Sequence, residues 1–483
     1  MRRSSTLASI ALVAVLVLLS PLTGDAQDGR AALEAIAKAM GAGGVKSIQY
    51  SGSGVNFFVG QSYSPDMPWP RFVVKSYTRA VSYETASIRD ELVRTLGESP
   101  QRGGGAAGIP PGGEQRQELV ARGDFAWNVV GDAASPAAVA LLDRQLQLWT
   151  TPHGVIKMAI ANNATVQGHT ISFTAPGRFR IRATVDAQNM VERIDAVVPN
   201  AVLGNMPVEI RYSEYKDFAG VKFPTKIRQT IGGHPALDLT VTDVQPNAAV
   251  NITIPDPILK TPHPYARVTT QMVADGVWYV TGGTHHSVVI EMKDHLIVVE
   301  SPLNDERAAA VLDEVKKLSS KPIKYVIATH HHFDHSGGLR AVAAESVTII
   351  AHDANKAFLE KALAAPATVS PDRLAKSGKK GTVEGVGARR TLTDGTRTVD
   401  IHQITDNLHH GGIVMIHLPK ERLLIEADLY TPPAPNAPAP TGVNPAWVSL
   451  ADNIQRLNLT VDQIVPIHGR MVPIAELHKA IGR

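Results

Sequence analysis

The spacing of apolar and polar positions changes partway along the chain. In the first half, short alternating or β-branched runs at residues 51–59, 179–185, 190–198, 207–212, 225–230 and 236–244 are punctuated by Gly, Pro and Asn. A period of two between turn residues predicts an antiparallel sheet. Ahead of it, the alanine-rich residues 31–40 predict an amphipathic helix ending at Gly41. Residues 97–114, with Gly103-Gly104-Gly105 and Pro110-Pro111-Gly112-Gly113, predict a flexible excursion.

Beyond a proline-bearing linker the pattern is different. Apolar runs at 277–280, 288–291, 296–299, 323–328, 347–352, 413–418, 424–428 and 464–467 predict strands. Helices are expected at 305–318, 353–363 and 474–481. The first of these helices places Ala308, Val311, Leu312, Val315 and Leu318 on one face, with Asn304 or Asp305 as its cap. Strands interleaved with helices suggest sheets covered by helices on both outer faces. The expected organisation is a leader at 1–26, a β-rich domain at 27–255, a linker at 256–265 and an α/β domain at 266–483.

The leader is read from Met1-Arg2-Arg3, an apolar run at 7–22 and the small residues around Ala26, which together describe a secretory signal peptide cut before Gln27. Pro21 and the shortness of the run argue against a retained spanning helix. The chain has no cysteine, hence no lipid-attachment cysteine and no disulfide. A periplasmic or secreted protein without stable membrane insertion is expected. The mature form should begin near Gln27 and fractionate with the periplasm; uncleaved protein in the membrane pellet would contradict this. At 44% hydrophobic and 19% charged, 483 residues suffice for two globular domains. A net charge of +3 without a basic, aromatic-studded stripe excludes nucleic acid as an expected partner and leaves a small molecule. Oligomeric state is not set by any of these features.

The densest chemistry lies in residues 329–338, Thr329-His330-His331-His332-Phe333-Asp334-His335-Ser336-Gly337-Gly338, between a predicted strand and a predicted helix. Imidazole offers a neutral nitrogen and carboxylate an anionic oxygen, so His330, His332, Asp334 and His335 can serve one metal or be divided between two. Gly337 and Gly338 permit close backbone approach to the metals. Further candidates close later predicted strands or loops: His409-His410-Gly411-Gly412, Asp428 and His468.

This order and spacing resembles the metallo-β-lactamase superfamily. The resemblance implies an α/β (α+β) chain whose C-terminal four-layer αβ/βα sandwich, preceded by a mainly antiparallel β domain, carries metals at one edge. It implies that His330, His332 and His409 hold one metal, that Asp334, His335 and His468 hold a second, and that Asp428 bridges them. His409 is preferred to His410 because a His-x-x-Gly phrase precedes a strand in the family. The implied cofactor is two Zn(2+), with Fe or Mn as other candidates, acidifying a water from a pKa of about 15.7 toward about 7. The implied reaction is hydrolysis of an ester, lactone, thioester or lactam bond, with Asp334 as a catalytic residue carrying the proton to the leaving atom.

Without cysteine, the cysteine-bearing β-lactamase subclasses are excluded, and Asp428 shifts the resemblance toward lactonases and glyoxalase II-like thioesterases. His332 stands where the flavodiiron branch has a carboxylate. Two other functions stay open: a true β-lactamase, and a periplasmic ligand-binding protein whose metal site is not catalytic.

His285 and His286 read as structural or supporting residues, and His331 and His410 as residues pointing away or lining the rim. His352 reads as a core or supporting histidine, residues 431–440 either as a stiff loop along the rim, with Trp447 as an apolar wall, or as a simple spacer. The first domain carries no ligand cluster. Its phrases Tyr212-Ser213-Glu214-Tyr215 and Gly220-Val221-Lys222-Phe223-Pro224 resemble curved-sheet periplasmic proteins such as lipoprotein carriers. An accessory role, shielding or orienting the second domain, is expected. Every candidate ligand lies at or beyond His330, so residues 264–483 alone are expected to bind metal.

Overall fold

The computed structural model describes residues 23–105, 109, 113–131, 133–175, 179–261, 267–435 and 442–483. The apolar part of the leader, the end of the linker and the end of the 431–440 run lie outside the described residues.

A thirteen-stranded antiparallel sheet organises the N-terminal half. Its first strand, Ser47–Phe57, pairs with its last, His234–Pro246; from this central pair the strands run outward in chain order beside the first and in reverse chain order beside the last. The expected strands are present, several with longer bounds, such as Gly204–Phe218 and Val221–Ile231. The strands Arg71–Ser82, Ser87–Leu96 and Gln115–Arg122 were not anticipated. Their alternation is disguised by polar residues at inward positions: Arg79 Nε lies 2.7 Å from Asp90, which also accepts the Tyr77 hydroxyl at 2.9 Å, and all three are buried. A paired, hydrogen-bonded charge can occupy a core position that a hydropathy pattern reads as surface.

One face of this sheet is filled by the chain's own helices. Leu33 and Ile36 from the helix Thr23–Ala39, Met40 just beyond it, and Val155, Ile156 and Ala159 from Pro152–Ala161, pack against Ile194, Phe223 and Leu239 of the sheet. Each such fully buried aliphatic side chain contributes about 1.5–3 kcal/mol. Pro152–Ala161 also went unread in the sequence; it starts with proline in its first turn, behind a Thr151 side chain that accepts from Gly154 N at 3.1 Å.

The C-terminal half holds a seven-stranded and a six-stranded sheet. Val277, Val288, Ile297, Ile327 and Ile350 of the first pack against Ile401, Val414, Ile416, Ile425 and Val465 of the second. On the outer side of the first sheet lie the helices Asp305–Leu318, Leu339–Ala344 and Asp353–Ala364; on that of the second lie Pro445–Arg456 and Ile474–Ala480. The order helix, sheet, sheet, helix is the expected four-layer αβ/βα sandwich. Its strands read as continuous apolar runs because both faces are covered.

Asn304 caps Asp305–Leu318, its Oδ1 accepting Arg307 N at 2.8 Å. The fully buried Arg307 donates to the carbonyls of Arg267, Thr281 and His285 at 2.8, 3.1 and 3.3 Å, fixing the loop that leads to His285. Among the described residues, no helix is long and apolar enough to cross a membrane.

Candidate metal centre

The strand Ile323–Ile327 delivers residues 328–332 to the sheet edge, and the chain turns at once into the short helix Phe333–Ser336. Beside it runs the segment after Leu296–Val299, carrying Glu300. Gly337 and Gly338 belong to that contact: a Cβ on Gly337 would meet the Leu303 carbonyl oxygen at 2.0 Å, and one on Gly338 would meet Ser301 Oγ at 2.5 Å. The glycines bring backbone to backbone beneath the centre, not backbone to metal as the sequence reading had it. The second sheet is tied in by Val414 N donating to Thr329 O at 3.0 Å.

Two donor groups form. His330, His332, His409 and Asp428 make one; His285, Asp334, His335 and His468 make the other; within each, the ligand atoms lie within 4.8 Å of one another. Asp428 lies between them. Its Oδ2 is 3.2 Å from His330 Nε2, 2.8 Å from His335 Nε2 and 3.4 Å from His409 Nε2, and its Oδ1 is 3.1 Å from His468 Nε2. Asp428 reaches this position with φ of +64°, a left-handed conformation that costs a non-glycine residue about 1–3 kcal/mol.

The structure thus brings together all seven residues singled out by the 330–335 cluster and the family order, and adds His285, which the sequence assigned only a supporting role. His409, not His410, faces the first group. His410 Nε2 instead meets His331 Nδ1 at 2.5 Å, and His331 is buried rather than at the rim. His286 Nε2 lies 2.9 Å from Gly469 O, and His352 caps the helix Asp353–Ala364. Trp447 packs edge-on to Tyr430 in the core under the second sheet.

The hydrogen bonds around these rings decide what the centre can hold. A neutral imidazole has one N–H and one lone pair. His335 Nδ1 donates outward to Glu300 Oε2 at 2.9 Å, His468 Nδ1 to Thr284 O at 3.2 Å, and His332 Nε2 to Ser62 O at 2.9 Å. In the neutral rings the remaining nitrogens therefore point lone pairs inward. His332 Nδ1 is buried without a hydrogen-bond partner, and Asp428 Oδ2 is surrounded by imidazole edges alone. Inward lone pairs and carboxylate oxygens repel one another and are costly to bury unpaired, and cations between them remove both penalties. The donor set fits two divalent metals of the imidazole-preferring kind.

Titration points the same way. Burial, reinforced by neighbouring imidazoles, holds His330 and His332 well below the ordinary imidazole range, in the neutral form a metal requires. Burial likewise pushes His285 down to about 4. For His335, burial opposes charge, but the attraction of Asp428, Asp334 and Glu300 outweighs it and raises the imidazole well above its usual range. Burial would raise Asp428 and Asp334, yet His335 in particular holds both well below the usual carboxylate range. A positive charge is favoured at this point, and in the metal-free chain a proton on His335 supplies it.

Glu300, fully buried, accepts Thr329 N at 2.7 Å with Oε1 while Oε2 orients His335. No spacing in the sequence signals it; it reads only as the polar end of an apolar strand. Gln61 and Ser62 of the N-terminal half were missed too: Gln61 Nε2 is 2.7 Å from Asp334 Oδ1, and Ser62 Oγ is 3.1 Å from His331 Nε2.

The family profile described as the metallo-beta-lactamase superfamily matches residues 280–452, a span that includes every candidate ligand named from the sequence except His468. Residues 280–452 belong to the metallo-β-lactamase superfamily. Among its relatives, a linear primary-alkylsulfatase of Pseudomonas sp. (strain ATCC 19151) is 25% identical over 222 residues, covering 38% of this chain and 41% of that protein. The 2,4-dinitroanisole O-demethylase subunit alpha of Nocardioides sp. (strain JS1661) is 28% identical over 212 residues, covering 42% of this chain and 57% of its own length. The matches thus span about half the length of these relatives or less. A metallo-beta-lactamase from Pontibacter korlensis is similar in structure, with 18% identity, a TM-score of 0.35, and 45% of this chain and 98% of that one covered. A second, the metallo-β-lactamase FIM-1 from Pseudomonas aeruginosa in its mono-zinc form, also has 18% identity and a TM-score of 0.35, covering 44% and 93%. In this superfamily domain the two donor groups lie at the edge where both sheets end.

Proposed function

We propose that the chain is an exported, dinuclear zinc-dependent hydrolase that cleaves an ester-type bond in a small molecule. The observation that carries the reading is Asp428, whose two oxygens lie 2.8–3.4 Å from one or more imidazoles of each donor group. Structural zinc sites are closed and usually single, whereas a carboxylate shared by two donor groups suits a catalytic pair.

His330, His332 and His409 would hold one zinc, Asp334, His335 and His468 the other, with Asp428 between; His285 stands ready as a further donor to the second. Bound there, the pair supplies Lewis-acid polarisation and acidifies water to a pKa near about 7. The chain's own residues do the rest. Glu300, Thr284 and Ser62 fix the rings of His335, His468 and His332. His330 and His335 form a floor, with side chains 0% and 1% exposed, while Asp334 is 34% exposed and is the ligand candidate most open to solvent. Asp334 is therefore placed to accept a proton from the attacking water and deliver it to the leaving atom.

Ester, lactone, thioester and lactam bonds all fit this chemistry, and the names of the alkylsulfatase relatives add sulfate monoesters. The N-terminal sheet's apolar face is filled by its own helices, which weighs against a binding protein built on that face. Purified protein assayed against nitrocefin, a lactone, a thioester, a phosphoester and an alkyl sulfate tests the reading. Chelator-sensitive hydrolysis of one class is expected; bound zinc with no turnover of any class would favour a non-catalytic site.

A further inference from the structure

Among the described residues the N-terminal half supplies no ligand, yet one of its loops reaches the centre. Beyond the strand Ser47–Phe57, residues 60–63 lie along the helix that carries Asp334. Phe333 N donates to Gly60 O at 3.2 Å, His332 Nε2 to Ser62 O at 2.9 Å, and Gly411 N to Tyr63 O at 2.8 Å. A second N-terminal loop adds Gly103 N to Leu408 O at 2.8 Å, while Gly104 N ties back to Gln61 O at 2.9 Å. The fit is tight: with Gly60 at φ +74°, a Cβ there would stand 2.3 Å from Cγ of Phe333. Gln61 is 7% exposed and directs its amide at Asp334 Oδ1, 2.7 Å away.

We propose that Gln61 is a positioning residue for the second metal position, so that the N-terminal domain completes the centre instead of shielding it. The inference rests on reading His285, Asp334, His335 and His468 as a metal site. Asp334 sits on a helix of only four residues and is the most exposed candidate ligand, so local structure holds its carboxylate weakly. An amide donor on Oδ1 leaves Oδ2 directed at the second group, 3.2 Å from His285 Nε2 and 3.8 Å from His335 Nε2. Because the amide is neutral, it fixes the carboxylate without cancelling the charge a cation needs; lysine or arginine there would compete with the metal. Ser62 O does the corresponding work for His332, so a single loop touches one ligand candidate of each group. Outer partners of this kind typically alter metal affinity 10–100-fold.

The test uses the full-length chain, stripped with a chelator and titrated with zinc alone, in wild type, Gln61→Met and Gln61→Ala. Methionine fills the glutamine's volume without a donor. Wild type is expected to bind two zinc ions; both variants should bind the first with wild-type affinity and the second about 10–100-fold more weakly, with metal-free melting temperatures unchanged. Wild-type affinity for both ions in Gln61→Met overturns the proposal, even if Gln61→Ala is weak, because packing alone would then account for the effect. Fewer than two zinc ions in wild type instead overturns the dinuclear reading on which the proposal stands.

Discussion

Asp428→Ala is expected to weaken both metal positions, lowering zinc from about two per chain to below about one after dialysis and abolishing measurable hydrolysis, while His468→Ala mainly empties the second. The asymmetry follows from geometry. Asp428 Oδ2 lies within 3.4 Å of nitrogens of His330, His335 and His409, and its other oxygen is 3.1 Å from His468. Two dications held a few ångströms apart repel strongly, and the carboxylate between them is the charge that offsets the repulsion. An imidazole at the edge of one group removes only one donor. Metal analysis of the two variants side by side checks this; retention of both ions by Asp428→Ala would rule out a bridging role.

The second large effect is expected from Asp334→Asn, which should lower hydrolysis by about 2–4 orders of magnitude while leaving the first metal bound. Asparagine keeps size and shape but loses the negative charge and cannot carry the proton. The surroundings make this substitution less innocent than its shape suggests. With Gln61 Nε2 donating to one carboxylate oxygen and His285 Nε2 3.2 Å from the other, the new amide nitrogen must face either a donor or the second group. Zinc content and turnover measured on the same preparation separate the roles: full activity with intact metal would show that Asp334 moves no proton.

The sequence was most readable where spacing is rigid. His330, His332, Asp334 and His335 fall within six residues of a strand-to-helix loop, so local geometry alone brings them together, and the helix Asp305–Leu318 appeared with its Asn304 cap because 3.6-residue periodicity and capping chemistry agree. His409, Asp428 and His468 were found through their places at later strand ends and in the family order. What sequence hid has a common physical cause. Gln61, Ser62 and Glu300 act through long-range contacts, 273 positions apart in the case of Gln61 and Asp334, and carry no local pattern. The strands between residues 71 and 122 were missed because the buried Arg79–Asp90 pair looks polar to any hydropathy reading. The expectation that residues 264–483 bind metal alone counts ligands only, and the loop at residues 60–63 touches two of them, Asp334 and His332.

A dinuclear hydrolase requires two metals per chain and loses activity without them. Zinc titrated into chelator-stripped, full-length protein, with binding and hydrolysis of the substrate identified by the panel followed together, is predicted to saturate at two equivalents and to restore activity lost on stripping. Saturation at one equivalent, or hydrolysis that survives complete metal removal, would contradict it.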